Sequence, residues 1–161
     1  MDLRIGQGVD VHSFADNREL ILCGVSVPSD RGLLGHSDAD VAVHAVMDGV
    51  LGALALGDIG NWFPDTSEAY KDANSMELLK IILKSSQLVG WRLVNLDLTI
   101  VAEQPKLSPF IQKMRENLAI AFRTSRDYIS IKATTTEKLG FCGREEGIIA
   151  TAVLLLEKVE K

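Results

Sequence analysis

Cysteine is scarce in this chain of 161 residues: Cys23 and Cys142 stand far apart, with no partner spacing, so neither a disulfide framework nor a thiolate zinc site can be built. That scarcity fits a reducing, cytoplasmic setting. Basic residues are outnumbered, with 17 Lys and Arg against 22 Asp and Glu and a net charge of −5, and no basic stretch exists that would neutralise a nucleic-acid backbone. Nucleic acid is therefore excluded as a partner. No apolar run reaches the roughly 18 residues that a membrane span requires. The start, Met1-Asp2-Leu3-Arg4-Ile5-Gly6, enters a strand-like pattern without the apolar run and cleavage site of a signal peptide, so no membrane partner is expected. Internal repeats, low-complexity tracts and linkers are absent as well.

What is present is apolar residues in quantity. At 47% they suffice for a full core, and the length fits a single domain over residues 1–161. Leu3 to Ser13 reads as a strand in which Gly6 and Gly8 let another backbone or a ligand come close. Leu20 to Val27 reads as a short hairpin and Ser29 to Gly35 as a loop. A first helix is predicted from Ser37 as N-cap to about Ala55, with Asp38 and Asp40 in its first turn. Asn74-Ser75-Met76-Glu77 caps a second, ending near Gly90, and Ser108-Pro109 opens a third behind which Ile111, Met114, Leu118 and Phe122 form an apolar stripe. Strands are predicted over Trp91–Ala102, with Val94, Leu96, Leu98 and Ile100 on the buried face, over Tyr128–Thr134 and over Gly147–Leu156.

The order of elements gives an α+β fold of two layers, a mixed sheet with three helices on one face. The last strand is apolar on both faces, Ile148, Ala150, Ala152 and Leu154 on one and Ile149, Val153 and Leu155 on the other. Three helices do not readily wrap both sides, so a second copy of the chain is the expected cover for the open face.

All three histidines, His12, His36 and His44, fall in the N-terminal third. Asp10 and His12 alternate on a strand and share a face, and His44 can join them from the following helix, as two imidazoles and a carboxylate would hold Zn²⁺ with one position open. The plainer reading is a polar loop edge and a core histidine. His36, just before the helix cap, forms with Ser37 and the helix N-terminus an anion site, or merely sets the helix entry. Asp58-Ile59-Gly60-Asn61-Trp62-Phe63-Pro64-Asp65-Thr66 suits a polyol, though a structured turn explains it nearly as well. Lys132-Ala133-Thr134-Thr135-Thr136-Glu137-Lys138 offers hydroxyls, cations and a carboxylate that can hold a hard ion such as Mg²⁺ between phosphates, but threonine is also ordinary at strand ends. Lys106, Lys132, Lys138 and Arg144 supply local positive charge for a small phosphorylated ligand.

Taken in order, Gly8-Val9-Asp10-Val11-His12, His36-Ser37-Asp38-Ala39-Asp40-Val41 with His44, Asp58-Ile59-Gly60, Phe63-Pro64-Asp65, Pro105-Lys106 and Ala133-Thr134-Thr135-Thr136-Glu137-Lys138-Leu139-Gly140 resemble the 2-C-methyl-D-erythritol 2,4-cyclodiphosphate synthase family along almost the whole chain. The resemblance implies a homotrimer with sheets packed around a threefold axis and active sites between subunits. It implies conversion of 4-diphosphocytidyl-2-C-methyl-D-erythritol 2-phosphate to the cyclic diphosphate and CMP, in non-mevalonate isoprenoid biosynthesis. By the same resemblance Asp10, His12 and His44 hold Zn²⁺, Glu137 helps hold Mg²⁺ or Mn²⁺ at the diphosphate, and His36 and Thr135 stabilise the transition state. Asp58, Ile59, Gly60, Phe63, Pro64, Asp65, Thr66 and Ser67 contact the methylerythritol part, and Asp10, His12, His36, Ser37 and Ala133 also belong to the substrate-binding set. Ala102, Glu103, Gln104, Pro105, Lys106, Leu107 and Ser108, with Thr134, Thr135, Thr136 and Glu137, enclose the cytidine phosphate. Phe141 and Arg144 resemble residues lining a central cavity of the trimer, where an isoprenoid diphosphate binds in some members. Glu145 and Glu146 add negative charge there, and Arg144 paired with them is an equal structural reading.

Two other readings compete. A zinc phosphodiesterase or phosphatase would need further acidic or histidine ligands for a close two-metal cluster, and the sequence lacks them. A noncatalytic trimer binding zinc and cytidine nucleotides would keep the ligands without the chemistry.

Overall fold

A computed structural model describes residues 2–159; Met1, Glu160 and Lys161, the ends of the expected domain, lie outside the described residues. Its centre is a five-stranded mixed sheet in the order β4-β1-β7-β5-β6. β1 (Leu3–Asp16) runs antiparallel to β7 (Gly147–Lys158), which runs antiparallel to β5 (Trp91–Val101), and β5 is parallel to β6 (Ile129–Thr134). The segment expected as a loop before the first helix contains β4 (Arg31–Leu33), which pairs with Phe14–Asp16 and so extends β1 beyond Ser13. β2 (Leu20–Leu22) and β3 (Val25–Val27) form the expected hairpin; Cys23 and Gly24 both have positive φ, as a tight two-residue turn requires.

Alternation in β5 breaks at one point. A bulge between Leu93 and Asn95 puts Leu93, in place of Val94, into the core with Leu96, Leu98 and Ile100. Two successive residues occupying one register position shift the pleat, which simple alternation does not anticipate.

α1 (Val41–Ala53) lies on β1 and β7 and is buried along most of its length. It can approach so closely because Gly6 and Gly8 have no side chains: a Cβ on either would stand 1.8 Å from the Gly49 carbonyl oxygen or 1.9 Å from that of Ala45. Its start differs from the sequence expectation. Asp40, not Ser37, is the N-cap: its fully buried carboxylate accepts from Val43 N at 3.0 Å through Oδ1, and also from the hairpin amides of Cys23 at 2.9 Å and Gly24 at 2.7 Å. One side chain thus satisfies the helix end and pins the β2–β3 turn to it, while Asp38 lies before the helix altogether.

α2 (Ile59–Trp62) is a single turn where a loop was expected. α3 (Ser75–Lys84) has the expected Asn74 cap, accepting from Glu77 N at 3.2 Å, but stops at Lys84 because Ser85 turns extended; a 3-10 turn over Ser86–Leu88 fills the stretch to Gly90. α4 (Ile111–Phe122) begins after Pro109, since Phe110 N closes a turn onto the Leu107 carbonyl at 2.9 Å, and Phe110 rather than Ser108 precedes the helix. α5 (Gly140–Gly143) is another single turn. The expectation of three helices therefore covers α1, α3 and α4 and misses two short ones.

Helices and sheet bury Ile148, Ala150, Ala152, Leu154 and Leu156 of β7 between them. The opposite sheet face is apolar and largely open in this chain, with Ile5 72%, Val9 52%, Val11 48% and Val153 41% exposed. Among the described residues no helix is long and apolar enough to cross a membrane.

Candidate metal centre and active site

Asp10 and His12 project from β1 toward α1, because their register partners Ala150 and Ile148 are on the buried face of β7. His44, in the first turn of α1, meets them. Asp10 Oδ2 lies 3.0 Å from His12 Nε2 and 3.0 Å from His44 Nδ1, and the two nitrogens are 3.2 Å apart. A tetrahedral ion with bonds of about 2.0–2.2 Å has ligand-to-ligand edges of roughly 3.3–3.6 Å, so these three atoms form a triangle slightly smaller than one face of such a tetrahedron. The donor set, two nitrogens and a carboxylate oxygen, fits a divalent metal such as Zn²⁺.

The outer contacts aim the ligands. His12 Nδ1 donates to the Leu34 carbonyl at 2.5 Å, which leaves the Nε2 lone pair facing Asp10. His44 Nε2 is 3.0 Å from Ser75 Oγ and 3.2 Å from Ser37 Oγ, leaving Nδ1 inward. Burial opposes ionisation of Asp10, but the His12 and His44 imidazoles beside it, His12 foremost, outweigh that cost and hold the carboxyl well below the usual carboxylate range. Burial likewise opposes protonation of His12, yet the Asp10 hydrogen bond and charge raise its pKa.

The triangle faces a cavity of about 500 Å³ lined also by His36, Ser37, Ile59, Gly60, Phe63, Pro64 and Asp65. Sequence reasoning missed Gly35, Met47, Tyr70 and Leu78, which share this lining. Met47 was discoverable, since it stands three residues beyond His44 on the same helix face. Asp58 is not part of the lining. Its Oδ1 caps α2 by accepting from Asn61 N at 3.0 Å, while Asp48 holds Ile59 N at 2.8 Å and so fixes the same turn. Thr66 and Ser67 lie off the lining too, and the Ser67 carbonyl accepts from His36 Nε2 at 3.1 Å. The expected anion site of His36, Ser37 and a helix end does not form: α1 starts at Val41 with Asp40 on its first amides, and Ser37 Oγ accepts from Ala39 N at 3.2 Å and faces His44.

A second cavity, about 410 Å³, is lined by Ala102 to Ser108 with Ala133, Thr134 and Thr135. Glu103 lines this space and also braces the loop beside it. Its Oε1 accepts from Thr136 N at 3.0 Å, Thr136 Oγ1 at 3.2 Å and Lys138 N at 3.0 Å, so it moulds the loop in which Glu137 and Lys138 both take positive φ. Thr135 Oγ1 donates to Glu137 Oε1 at 3.3 Å. Glu137 stands apart from the Asp10, His12 and His44 cluster. Phe141 is 37% exposed, and Arg144 is engaged by Glu146, Nε to Oε1 at 2.7 Å, as the structural reading expected.

The two cavities share no lining residue. Val11, Ile149, Val101 and Thr134 are successive register partners across the sheet. Three strand spacings put Val11 and Thr134 about 14 Å apart, with the metal centre at one end of that row and Thr135 at the other.

Fold and site together define an α+β protein with a candidate divalent-metal site and a second cavity at the other end of the sheet row. The YgbB family model matches residues 3–157, and the chain belongs to that family. It is 54% identical over 156 residues to the 2-C-methyl-D-erythritol 2,4-cyclodiphosphate synthase of Listeria monocytogenes serotype 4b (strain F2365), covering 97% of this chain and 99% of that one. Its structure is similar to the bifunctional IspDF of Campylobacter jejuni, with a TM-score of 0.93 and 44% identity over 99% of this chain but only 43% of that one. A solved 2C-methyl-D-erythritol-2,4-cyclodiphosphate synthase with CDP bound is similar at a TM-score of 0.87 and 36% identity, covering 96% of this chain and all of that one.

Proposed function

We propose that this chain converts 4-diphosphocytidyl-2-C-methyl-D-erythritol 2-phosphate to 2-C-methyl-D-erythritol 2,4-cyclodiphosphate and CMP, a phosphorus–oxygen lyase step of isoprenoid biosynthesis. The observation that carries the reading is the Asp10, His12 and His44 triangle facing a cavity walled by Ile59, Gly60, Phe63, Pro64 and Asp65. Family membership and the CDP-bound relative support the cytidine part.

An oxygen of the substrate's 2-phosphate attacks the β-phosphorus; the bond from that phosphorus to the bridging oxygen breaks, and CMP leaves with the oxygen. No protein nucleophile is required. Positioning alone is worth up to about 7–11 kcal/mol when the reacting atoms are held in line. In this reading Zn²⁺ held by Asp10, His12 and His44, with Mg²⁺ or Mn²⁺ near Glu137, supplies Lewis-acid neutralisation of phosphoryl charge. The remaining work is done by side chains. His36 and Thr135, whose protons go to the Ser67 carbonyl and to Glu137 in this structure, would turn these donors to the phosphoryl oxygens as charge builds, and the Asp58–Gly60 and Phe63–Ser67 segments orient the methylerythritol part. Ala102–Ser108 and Ala133–Glu137 grip the cytidine phosphate, with Glu103 acting through the loop it holds. Phe63 and Tyr70, packed edge to face at 5.2 Å, exclude water that would otherwise hydrolyse the diphosphate.

We also propose a homotrimer, in the cytoplasm, with residues 1–161 as one catalytic domain. Support comes from the open apolar sheet face and from the separation of about 14 Å between the two halves of the site, which a neighbouring copy can close. The two cysteines, both buried and free, fit a reducing compartment. At Arg144, an isoprenoid diphosphate in the central cavity would have to displace Glu146.

Phosphorus NMR of the protein with the diphosphocytidyl substrate tests the reaction. CMP with a cyclic diphosphate is expected. Inorganic phosphate or a linear product would favour a hydrolase, and an unchanged substrate would favour a nucleotide-binding protein.

A further inference from the structure

Asp38 and Ser75 have no place in the site as read from the sequence, where Asp38 counts only as a first-turn acid. In the structure Ser75 is fully buried at the start of α3, and Asp38 is bound to it twice. Asp38 Oδ2 accepts from Ser75 N at 3.0 Å, and Oδ1 accepts from the Ser75 hydroxyl. The segments carrying them are zipped together by Asp38 N to the Ala73 carbonyl at 3.0 Å and Asp72 N to the His36 carbonyl at 2.8 Å.

We infer that Asp38 and Ser75 are positioning residues for the metal: their hydrogen bond fixes His44 with its proton on Nε2, so that the Nδ1 lone pair points between Asp10 and His12. The step rests on the reading of that triangle as a metal site. Each link follows from donor and acceptor capacity. A carboxylate only accepts, so the Ser75 hydroxyl proton goes to Asp38. Ser75 Oγ then has only lone pairs for its other neighbours, Ser37 Oγ at 3.5 Å and His44 Nε2 at 3.0 Å, so in the shorter contact His44 Nε2 is the donor. A neutral imidazole protonated on Nε2 has its free lone pair on Nδ1, the atom 3.0 Å from Asp10 Oδ2. Without Asp38 the Ser75 hydroxyl is free to donate to Nε2 instead, which would put the proton on Nδ1 and turn a ligand into a blocked site. Ser37 Oγ, 3.2 Å from Nε2, does not impose the choice, because no carboxylate takes up its hydroxyl proton. Asp38 thus acts on the metal site through the His44 ring of α1 and a hydroxyl from α3, a helix that carries none of the three site residues.

The test uses the full-length metal-free protein, titrated with Zn²⁺ against a competing chelator, alongside ¹⁵N NMR of the histidine rings. In the wild type His44 should show a protonated Nε2 and a pyridine-like Nδ1 before metal is added. Ser75→Ala should weaken zinc binding by about 10- to 100-fold and mix the two ring forms. Asp38→Asn should act in the same direction while keeping the buried hydroxyl. If Ser75→Ala fails to fold, the wild-type ring spectrum and Asp38→Asn still decide: a wild-type His44 protonated on Nδ1 overturns the inference. So does a wild type that binds one zinc ion while both variants match its affinity and ring form, a result that leaves the metal reading standing. A wild type that binds no zinc overturns the metal reading and this inference with it.

Discussion

Asp10 Oδ2 is shared at 3.0 Å by His12 Nε2 and His44 Nδ1, so one carboxylate oxygen serves two imidazoles from different elements. Without metal, that arrangement binds protons, and the sign of the resulting pH dependence can be worked out. Asp10 titrates below its ordinary 3.8 in the folded state, so its contribution is present above that value and is lost as pH falls through the depressed one. His12 titrates above its ordinary 6.5, so its contribution is complete below 6.5 and is lost as pH rises through the raised value. Zinc must displace the His12 proton, so its affinity rises with pH over the same window. Scanning calorimetry from pH 6 to 8 should therefore show the gap in Tm between zinc-loaded and chelator-treated protein widening as pH rises.

Removing a ligand should separate metal from fold. We expect His44→Ala to bind zinc no more than weakly and to lose cyclisation by about 100-fold or more, since a three-ligand site loses an anchor. Far-UV circular dichroism should stay unchanged. Full turnover in a folded variant would contradict the ligand assignment.

The cluster of Asp10, His12 and His44 was legible because two periodicities converge on it: alternation aims Asp10 and His12 together, and a helix returns His44 over the same strand. Their supports were not. Ser75 lies 31 residues beyond His44, and nothing local ties it to an imidazole. Asp38 and Asp40 looked alike as acids before a helix, yet one caps it and the other crosses to α3. The buried set of β5 was readable except at the bulge beside Val94, and α2 is too short to show a period. Glu103 was placed in the right segment, but its hold on the backbone amides of Thr136 and Lys138 was not legible, because nothing in the sequence ties a carboxylate to a loop 33 to 35 residues away.

The buried cap should be costly to alter. In Asp40→Asn one oxygen becomes an NH₂ facing backbone donors, and a loss of about 1–3 kcal/mol by chemical denaturation is expected. Burial, aided by Asp38 and opposed by the three backbone N–H groups, raises the Asp40 pKa from 3.8 to about 6. The folded state then holds this proton more firmly than the unfolded chain, so the Asp40 contribution falls as pH rises from about 4 to about 6. That slope should vanish in Asp40→Asn.

Glu103→Ala should act on nucleotide and leave the metal alone. With three loop donors released, CMP binding by calorimetry should weaken about tenfold, while zinc affinity stays at the wild-type value. A fall in zinc affinity would place Glu103 in a different role.

The open sheet face gives a test of assembly. Val153→Asp puts a charge where a neighbouring copy would pack, and light scattering at micromolar concentration should shift from trimer to monomer. Cyclisation should fall with it, because the metal cavity and the cytidine cavity would no longer be brought together. A wild type already monomeric at that concentration would end the proposal.

Gly6 and Gly8 leave no room for a methyl group between β1 and α1, so the spacing of the ligand-bearing strand and helix is set by main chain resting on main chain. Anyone grafting this site onto another scaffold would have to carry that bare stretch of strand with the three ligands, because a single alanine there would pry the helix, and the imidazole it carries, away from the carboxylate.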